Sequence, residues 1–197
     1  GGSCDDTVEK IRSVAHLDIR LIQARCNIAA GRNIAIQEST YDIIAVTDAG
    51  CSLERRWLET ISHALGTNID VIVGNYRPQI NTLFDACQYS IHGLFASWKK
   101  LKRFPISSRS IVFHKRVWQQ TGGYPEWLDY SEDAYFHQKI LQQKFAVAFA
   151  PKAFVDWRLR PGVMAIFRQF FCYSVGQGMA RMHGLRHGIR FATYGLG

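Results

Sequence analysis

Short apolar runs alternate along the first half of the chain with a stretch whose apolar side chains recur every three or four residues. Residues 18–23 and 42–47 are rich in Ile and Val and bounded by polar residues, which is typical of buried strands. The second run ends at Asp48, and the spacing after it predicts a helix capped by Ser52 and formed by Leu53, Trp57, Leu58, Ile61, Ala64 and Leu65. Residues 71–74 return as a strand. Parallel βα units of this kind bind ligands at the carboxyl ends of their strands, so we expect a site at the Asp48 loop.

The second half continues the alternation. Residues 80–101 predict a helix that runs into a basic stretch and stops before Pro105. The next predicted elements are a strand at 110–114, a helix at 115–120, a turn at 122–125, a helix capped by Ser131, and two strands at 146–150 and 153–157 around Pro151. An amphipathic helix is predicted beyond Pro161. One apolar stripe is made by Val163, Ile166, Phe167, Phe170 and Phe171, and Arg168 lies on the side opposite this stripe.

Composition favours one globular domain of ordinary size. The 197 residues are 47% hydrophobic, close to the globular norm of about 45–50%, which excludes a disordered tail or a disulfide miniprotein. The longest stretch without Asp, Glu, Lys or Arg covers the thirteen residues 86–98, whereas a membrane-spanning helix needs about 20 apolar residues. The five cysteines are odd in number and widely separated, which indicates free thiols in a reducing cytoplasm.

Positive charge is concentrated in the second half. The net charge of +8 divides into 8 basic and 11 acidic side chains over residues 1–98, and 16 basic and 5 acidic over residues 99–197. Six arginines and no carboxylate follow Trp157. A polyanionic partner or a membrane surface would suit this half, and a solvated basic face is the alternative.

Two acidic positions are candidates for chemistry. Asp48 follows a buried strand, where a carboxylate can hold a ribose hydroxyl or a metal ion bound to a diphosphate, or can simply cap a turn. Glu132 and Asp133 open a helix after a Gly-Gly-Tyr-Pro-Glu-Trp loop. The helix dipole favours carboxylates there by roughly 0.3–1 kcal/mol, so spacing alone leaves a structural role open.

The order of these motifs resembles the family 2 glycosyltransferases. Residues 1–7 are similar to the family's Asp-Gly-Gly-Ser turn without its leading Asp, residues 31–35 to its Arg-Asn segment, and residues 42–51 to the strand that enters its acidic motif. Residues 107–110 and 117–128 resemble its loop and Gly-Gly-Tyr-Pro-Glu-Trp stretch. Glu132 and Asp133 match its Glu-Asp pair.

The resemblance implies an α/β, Rossmann-like A-type fold with a mostly parallel central sheet, flanking helices and a C-terminal amphipathic helix. Residues 1–160 would be the catalytic domain and residues 161–197 its helical extension. The first strand of the family would lie upstream of Gly1. We therefore expect the fragment alone to be inactive and full activity to need roughly 35 more residues, the size of a βα unit.

Residue roles follow from the same resemblance. Asp133 would be the general base that deprotonates the acceptor hydroxyl, and Glu132 would orient that base or bind acceptor. The donor would be bound by Asp48, Arg32, Asp5, Arg158 and Arg160. The acceptor would be bound by Trp157 and Arg109.

A departure from the family pattern leaves the cofactor open. The usual acidic motif is Asp-x-Asp, whose second Asp binds Mg²⁺ or Mn²⁺, and this chain has Gly50 at that place. Asp48 with the substrate phosphates can still hold Mg²⁺. Arg158 and Arg160 would supply the missing positive charge as phosphate contacts, and two solvated arginines are the alternative.

The implied partners are a nucleotide-diphospho sugar and a glycan or lipid-linked acceptor, in bacterial polysaccharide or glycoconjugate assembly in the cytoplasm. Residues 161–190 combine an apolar stripe with arginines, which suits a helix on an anionic membrane surface at the inner face of the plasma membrane, or a helix packed on the core. Nucleic acid is not expected, because no binding module is present. The alternative function is a catalytically inactive domain of the same fold that binds nucleotide or an anion.

Two further features have ordinary explanations at this stage. His183 and His187 have the spacing of a metal pair but no carboxylate nearby, so we expect solvated or lipid-facing side chains. Residues 176–178 read Gly-Gln-Gly without a preceding strand, which predicts a helix irregularity rather than a phosphate loop.

Overall fold

The strands form one five-stranded sheet. The computed structural model describes residues 3–14, 17–63, 65, 68–95, 107–182, 184, 188–189 and 192–193. Its strands are β1 (Ile43–Val46), β2 (Cys51–Leu53), β3 (Val71–Gln79), β4 (Ile111–His114) and β5 (Val147–Arg158). Its helices are α1 (Thr7–Ser13), α2 (Ile28–Glu38), α3 (Trp57–Ser62), α4 (Leu83–Phe95), α5 (Lys115–Thr121), α6 (Glu132–Gln142) and α7 (Val163–Met179). No helix in these ranges is long and apolar enough to cross a bilayer.

The prediction of a mostly parallel sheet is wrong. Among the described strands the order is β1-β4-β3-β5-β2, and only β3 and β5 pair in parallel. The helical crossovers do orient β1, β3 and β5 in one direction, as the βα pattern predicts. However, β4 inserts between β1 and β3 and runs opposite to both, and β2 runs opposite to β5. Most hydrogen-bonded neighbours are therefore antiparallel.

The predicted strand at residues 18–23 does not form. This segment is irregular, and its apolar side chains Ile19 and Ile22 are 45% and 38% exposed. A strand needs a hydrogen-bonding neighbour, and no described strand pairs with this segment. The local Ile-rich pattern was thus insufficient to predict a strand.

The two strands predicted on either side of Pro151 are two parts of a single strand, β5. Both parts of β5 pair with β3, and the register shifts between Gly74 and Asn75, where Pro151 and its neighbours bulge out. Residue 74, at this shift, has to be glycine. A Cβ there would collide with the Ser110 hydroxyl and approach the Ala153 carbonyl oxygen to 2.9 Å. The absence of a side chain lets three strands close up at one point.

Alternate side chains of the central strands fill two cores on opposite faces of the sheet. One core contains Val71, Val73, Ile111 and Phe113 with residues of α2, α5 and α6. The other contains Ile72, Val112 and Val155 with Trp57 and Ile61 of α3. The period of two along β3 and β4 decides which face each residue joins. The resulting layers fix α2 and α6 on one face, where the candidate site is built.

Helix starts differ from the prediction at two serines. Ser52 belongs to β2, and α3 begins at Trp57 after Arg56. Ser131 precedes α6 but makes no side-chain cap; its φ is 62°, and its hydroxyl donates to the Tyr173 carbonyl oxygen at 3.1 Å. Of the helix predicted over residues 80–101, α4 covers Leu83–Phe95, and residues 96–106 lie outside the described chain.

Candidate active site

A cleft of about 1060 Å³ opens where β1 and β5 end. Eight of the nine residues predicted for the site line it: Arg32, Asp48, Arg109, Glu132, Asp133, Trp157, Arg158 and Arg160. They come from α2, the β1–β2 loop, the residues before β4, the start of α6 and the end of β5. The topology therefore brings residues separated by up to 128 positions to one place.

Asp5 does not line this cleft. Its carboxylate accepts hydrogen bonds from the Thr7 backbone N–H at 3.2 Å and from the Thr7 hydroxyl at 2.6 Å. These hydrogen bonds lower the pKa of Asp5. The residue starts α1 as an Asx turn, and no observation connects it with the donor-binding role predicted for it. Gly1 and Gly2 of the same motif lie outside the described residues.

Arg32 links the two acidic motifs. Its guanidinium donates to Glu132 Oε1 at 2.6 Å through Nη1 and to Asp48 Oδ1 through Nη2. The side chains of Arg32 and Glu132 are only 16% and 9% exposed. Helix α2 aims Arg32 at this point because Asn27 caps its first turn, accepting from the Ala30 N–H at 2.9 Å. A single cation therefore holds the strand-end carboxylate and the first carboxylate of α6 together.

The ring of Tyr124 supports this cation. The Arg32 guanidinium carbon lies 5.1 Å from the centroid of the Tyr124 ring, which stacks on Phe136 at 4.2 Å. The Tyr124 hydroxyl lies 3.0 Å from Ser108 Oγ, and burial raises the pKa of Tyr124 above its ordinary value. Burial by itself would lower the pKa of Arg32, but the charges of Asp48 and Glu132 raise it. Arg32 is therefore a permanent cation.

Glu132 and Asp133 sit in different surroundings although they are adjacent. Burial and the charge of Asp133 raise the pKa of Glu132, and the charge of Arg32 partly opposes them. Asp133 is only partly buried and faces the cleft, with its Oδ1 accepting from the Ala134 N–H at 2.7 Å. Of the pair, Glu132 is engaged by Arg32, and Asp133 is the carboxylate that an entering molecule can reach.

Arg109 and Trp157 form a second wall of the cleft. The Arg109 guanidinium carbon lies 4.7 Å from the Trp157 ring centroid and 5.6 Å from that of Tyr76. Its Nη1 donates to Ser107 Oγ at 3.2 Å. Tyr76 is a contact that the sequence did not predict. Burial raises its pKa, so the phenol stays neutral and available for hydrogen bonding.

Helix α7 contributes side chains that the sequence analysis missed. Gln169 and Tyr173 line the cleft, and the Gln169 amide donates to the Tyr173 hydroxyl at 2.9 Å. Their spacing of four residues places them on one face of a helix, which was the available signal. Gly176 is not an irregularity, because α7 is continuous there and the glycine packs directly against the Tyr130 carbonyl.

The described side chains near Asp48 do not fit a metal ion held by the protein. The described ranges contain no group of three or more His, Cys, Asp or Glu side chains that could hold a metal ion. Asp48 already has Arg32 as its counter-ion. Gly50, where a second carboxylate would stand, has a φ of 80° and supplies no ligand. His183 and His187 lie outside the described residues.

Comparison with known proteins gives one family and several relatives. Residues 1–126 match the sequence model of the family described as Glycosyl transferase family 2. Glycosyltransferase AglE of Haloferax volcanii is 24% identical over 189 residues, covering 92% of this chain and 61% of that protein. This chain thus spans less than two thirds of that relative.

Two solved structures share the fold at low sequence identity. The mannosyltransferase PcManGT from Pyrobaculum calidifontis, in complex with GDP-Man and Mn²⁺, has a TM-score of 0.64 and 16% identity, over 85% of this chain and 48% of that one. Residues 1–349 of S. aureus TarS, in complex with UDP, have a TM-score of 0.56 and 13% identity, over 89% of this chain and 53% of that one.

Proposed function

Because this chain belongs to glycosyl transferase family 2, we propose that it transfers a sugar from a nucleotide-diphospho sugar to an acceptor hydroxyl with inversion. Family membership confirms the resemblance that the motifs predicted, and the solved relatives confirm the α/β, A-type fold. The observation that carries the proposal is the Arg32 link, which sets Asp48 and the Glu132–Asp133 pair on two sides of one cleft.

The donor would lie between Asp48 and the end of β5. Asp48 would accept hydrogen bonds from the ribose, while Arg158 and Arg160 would contact the diphosphate. Both arginines are exposed, line the cleft, and form no ion pair with any described residue. The two solved structures hold GDP-Man and UDP, and a nucleoside diphosphate is the ligand class that we assign to this region.

The reaction would use Asp133 as its base. Its carboxylate takes the proton of the acceptor hydroxyl while that oxygen bonds to the anomeric carbon, and the bond from that carbon to the diphosphate breaks on the opposite face. The nucleoside diphosphate leaves with its negative charge facing Arg158 and Arg160. Glu132, held by Arg32, would position the start of α6 rather than accept the proton. Arg109 and Trp157 would hold the acceptor.

A donor screen with the full-length protein tests this function. UDP-, GDP-, dTDP- and CDP-sugars are compared by thermal shift with and without Mn²⁺, and sugar transfer or donor hydrolysis is followed by mass spectrometry. We expect one nucleotide class to raise the melting temperature and to be consumed. Stabilisation without any turnover would instead favour the inactive binding domain. We propose polysaccharide or glycoconjugate assembly as the pathway. The predicted bacterial origin has no support from AglE, which is archaeal.

Donor affinity is expected to survive removal of divalent cations. With Arg32 as the counter-ion of Asp48, EDTA should change the Kd of the matching nucleoside diphosphate, measured by calorimetry, by less than about threefold. Gly50→Asp is the matched gain-of-function variant, because Asp tolerates positive φ and no atom lies within 4 Å of an added Cβ. It should make binding tighter with Mn²⁺. A wild-type affinity that collapses in EDTA would overturn this expectation.

Arg160→Ala should weaken donor binding. Loss of a charge-assisted hydrogen bond costs about 1.5–3 kcal/mol, and exposure puts Arg160 at the low end, so the Kd should rise about tenfold. Arg168→Ala is the control, since Arg168 is also exposed and does not line the cleft. Calorimetry that finds full affinity in Arg160→Ala would remove Arg160 from the donor site.

A further inference from the structure

Helix α7 has two faces of different character. Its inner face carries Gln169, Tyr173 and Gly176, which line the cleft or pack against the residues before α6. Its outer face carries seven apolar side chains that are 41–76% exposed: Val163, Met164, Phe167, Phe170, Phe171, Val175 and Met179. At 100° per residue these seven positions fall within one half of the helix. Ser174 and Arg168 are exposed on the same half of the helix, so the prediction that Arg168 lies opposite the apolar stripe is wrong. The apolar stripe predicted to contact either the core or a membrane therefore faces away from the core.

The inner face ties α7 to the catalytic pair. A side chain at Gly176 would collide with the Tyr130 carbonyl, so the helix backbone lies directly on residue 130. The Ser131 hydroxyl donates to the Tyr173 carbonyl oxygen at 3.1 Å. Because Ser131 immediately precedes Glu132, α7 is attached to the segment from which the proposed base projects. The orientation of the apolar face is thus fixed relative to the cleft.

The charged side chains of α7 and of the segment that follows it are all positive. Helix α7 has no Asp or Glu, and no carboxylate follows Asp156 in the chain. Arg168 and Arg181 are exposed within the helix and just after it, and neither lines the cleft. An apolar strip that is accompanied by arginines and by no carboxylates complements a bilayer surface, which has anionic headgroups above an apolar interior. A second copy that docked through the same face would set its own α7 arginines against these.

We propose that the outer face of α7 binds the surface of an anionic bilayer, with the helix lying in the plane of the interface. Phe167, Phe170 and Phe171 enter the boundary between headgroups and acyl chains, and the exposed arginines contact anionic headgroups. The inner face of the same helix is a wall of the cleft. An acceptor held in that bilayer then reaches Asp133 from the α7 side, a consequence that rests on the proposed function, whereas the membrane contact itself does not.

Vesicle flotation with the full chain tests this surface. Vesicles of phosphatidylcholine with 30 mole per cent phosphatidylglycerol are compared with pure phosphatidylcholine, at low and high salt. We expect binding to the anionic vesicles, about tenfold weaker binding to neutral ones, and weaker binding in high salt.

Phe167→Ser/Phe171→Ser should lower binding to anionic vesicles at least about tenfold. Leu58→Ser/Leu141→Ser removes two equally exposed apolar side chains from α3 and α6 and should leave binding unchanged.

Three results would overturn the proposal. The chain could fail to float with anionic vesicles, the phenylalanine variant could bind like wild type, or that variant could abolish a dimer seen by analytical ultracentrifugation, which would identify a second copy as the occupant. Thermal melting confirms that the variant folds, and its donor affinity shows that the cleft is intact. Lost flotation with retained donor affinity supports the membrane surface, while absent donor affinity in wild type would count against the proposed function alone.

Discussion

Asp133→Asn should abolish sugar transfer while leaving the donor bound. The variant keeps the size and the hydrogen bonding of the side chain but cannot take the acceptor proton, and a positioned general base contributes about 10²–10⁴-fold to the rate. We therefore expect kcat to fall about 10³-fold in the full-length protein with a Kd for the nucleoside diphosphate close to that of wild type. Rate measurements by product mass spectrometry and calorimetric titrations give the two values.

Asp129→Asn is the control for this variant. Asp129 lines the same cleft, and its carboxylate accepts a hydrogen bond from the Asn27 amide at 3.1 Å. It differs from Asp133 in having a side-chain partner that already occupies it. Its substitution should change kcat by less than about tenfold. An Asp133→Asn enzyme that keeps more than a tenth of the wild-type rate, or equal losses in the two variants, would exclude Asp133 as the base.

Arg32→Met should destabilise the fold more than any exposed arginine substitution. It leaves the buried Glu132 and the strand-end Asp48 without their shared cation. Removing one partner of a buried ion pair costs about 3–5 kcal/mol, and the partial exposure of Asp48 puts our expectation near 3 kcal/mol. Urea unfolding measures the loss. Arg56→Met breaks the exposed pair with Glu59 and should leave the free energy of unfolding nearly unchanged.

The loss of stability in Arg32→Met should depend on pH in a defined direction. Burial and Asp133 already raise the pKa of Glu132, and removal of Arg32 takes away the charge that opposes them. A carboxyl with a raised folded-state pKa favours the native state while protonated, so this stability is present at acid pH and is lost as pH rises through the folded pKa. The variant should therefore be closer to wild type at pH 5 than at pH 8.

A double variant keeps this prediction testable if Arg32→Met unfolds. Arg32→Met/Glu132→Gln removes the stranded buried charge together with its cation, so part of the stability should return. If the double variant is no more stable than Arg32→Met, or if Arg32→Met costs no more than Arg56→Met, the link between the two acidic motifs does not hold the site together.

Local patterns were sufficient for much of the fold and for the membership of the site. The strands predicted at 42–47 and 110–114 form within a few residues of their expected bounds, and those predicted at 146–150 and 153–157 form as the single strand β5. Each is an apolar run between polar residues. The insertion of β4 between β1 and β3 was not predictable, because strand order depends on contacts between segments far apart in sequence. The strand predicted at 18–23 does not form, and this could not be foreseen for the same reason.

Contacts within the site were harder to predict than its members. Motif order placed Arg32 and Glu132 in one cleft, but their hydrogen bond joins residues 100 positions apart and has no local signature. Gln169 and Tyr173 were missed because a stripe of phenylalanines on the same helix dominates the pattern. Ser131 looked like an ordinary cap, and only the docking of α7 explains why its hydroxyl turns to Tyr173 instead.

The contact at Gly74 limits how this protein can be redesigned. The Ser110 hydroxyl that blocks a side chain at Gly74 also accepts the Trp57 indole N–H at 2.8 Å, and the Gly74 N–H donates to the Ser110 carbonyl at 2.9 Å. Gly74, Ser110 and Trp57 are therefore one packing unit that joins β3, the residue before β4 and the start of α3. A library that varies any one of the three must vary the others with it, or most of its members will be lost.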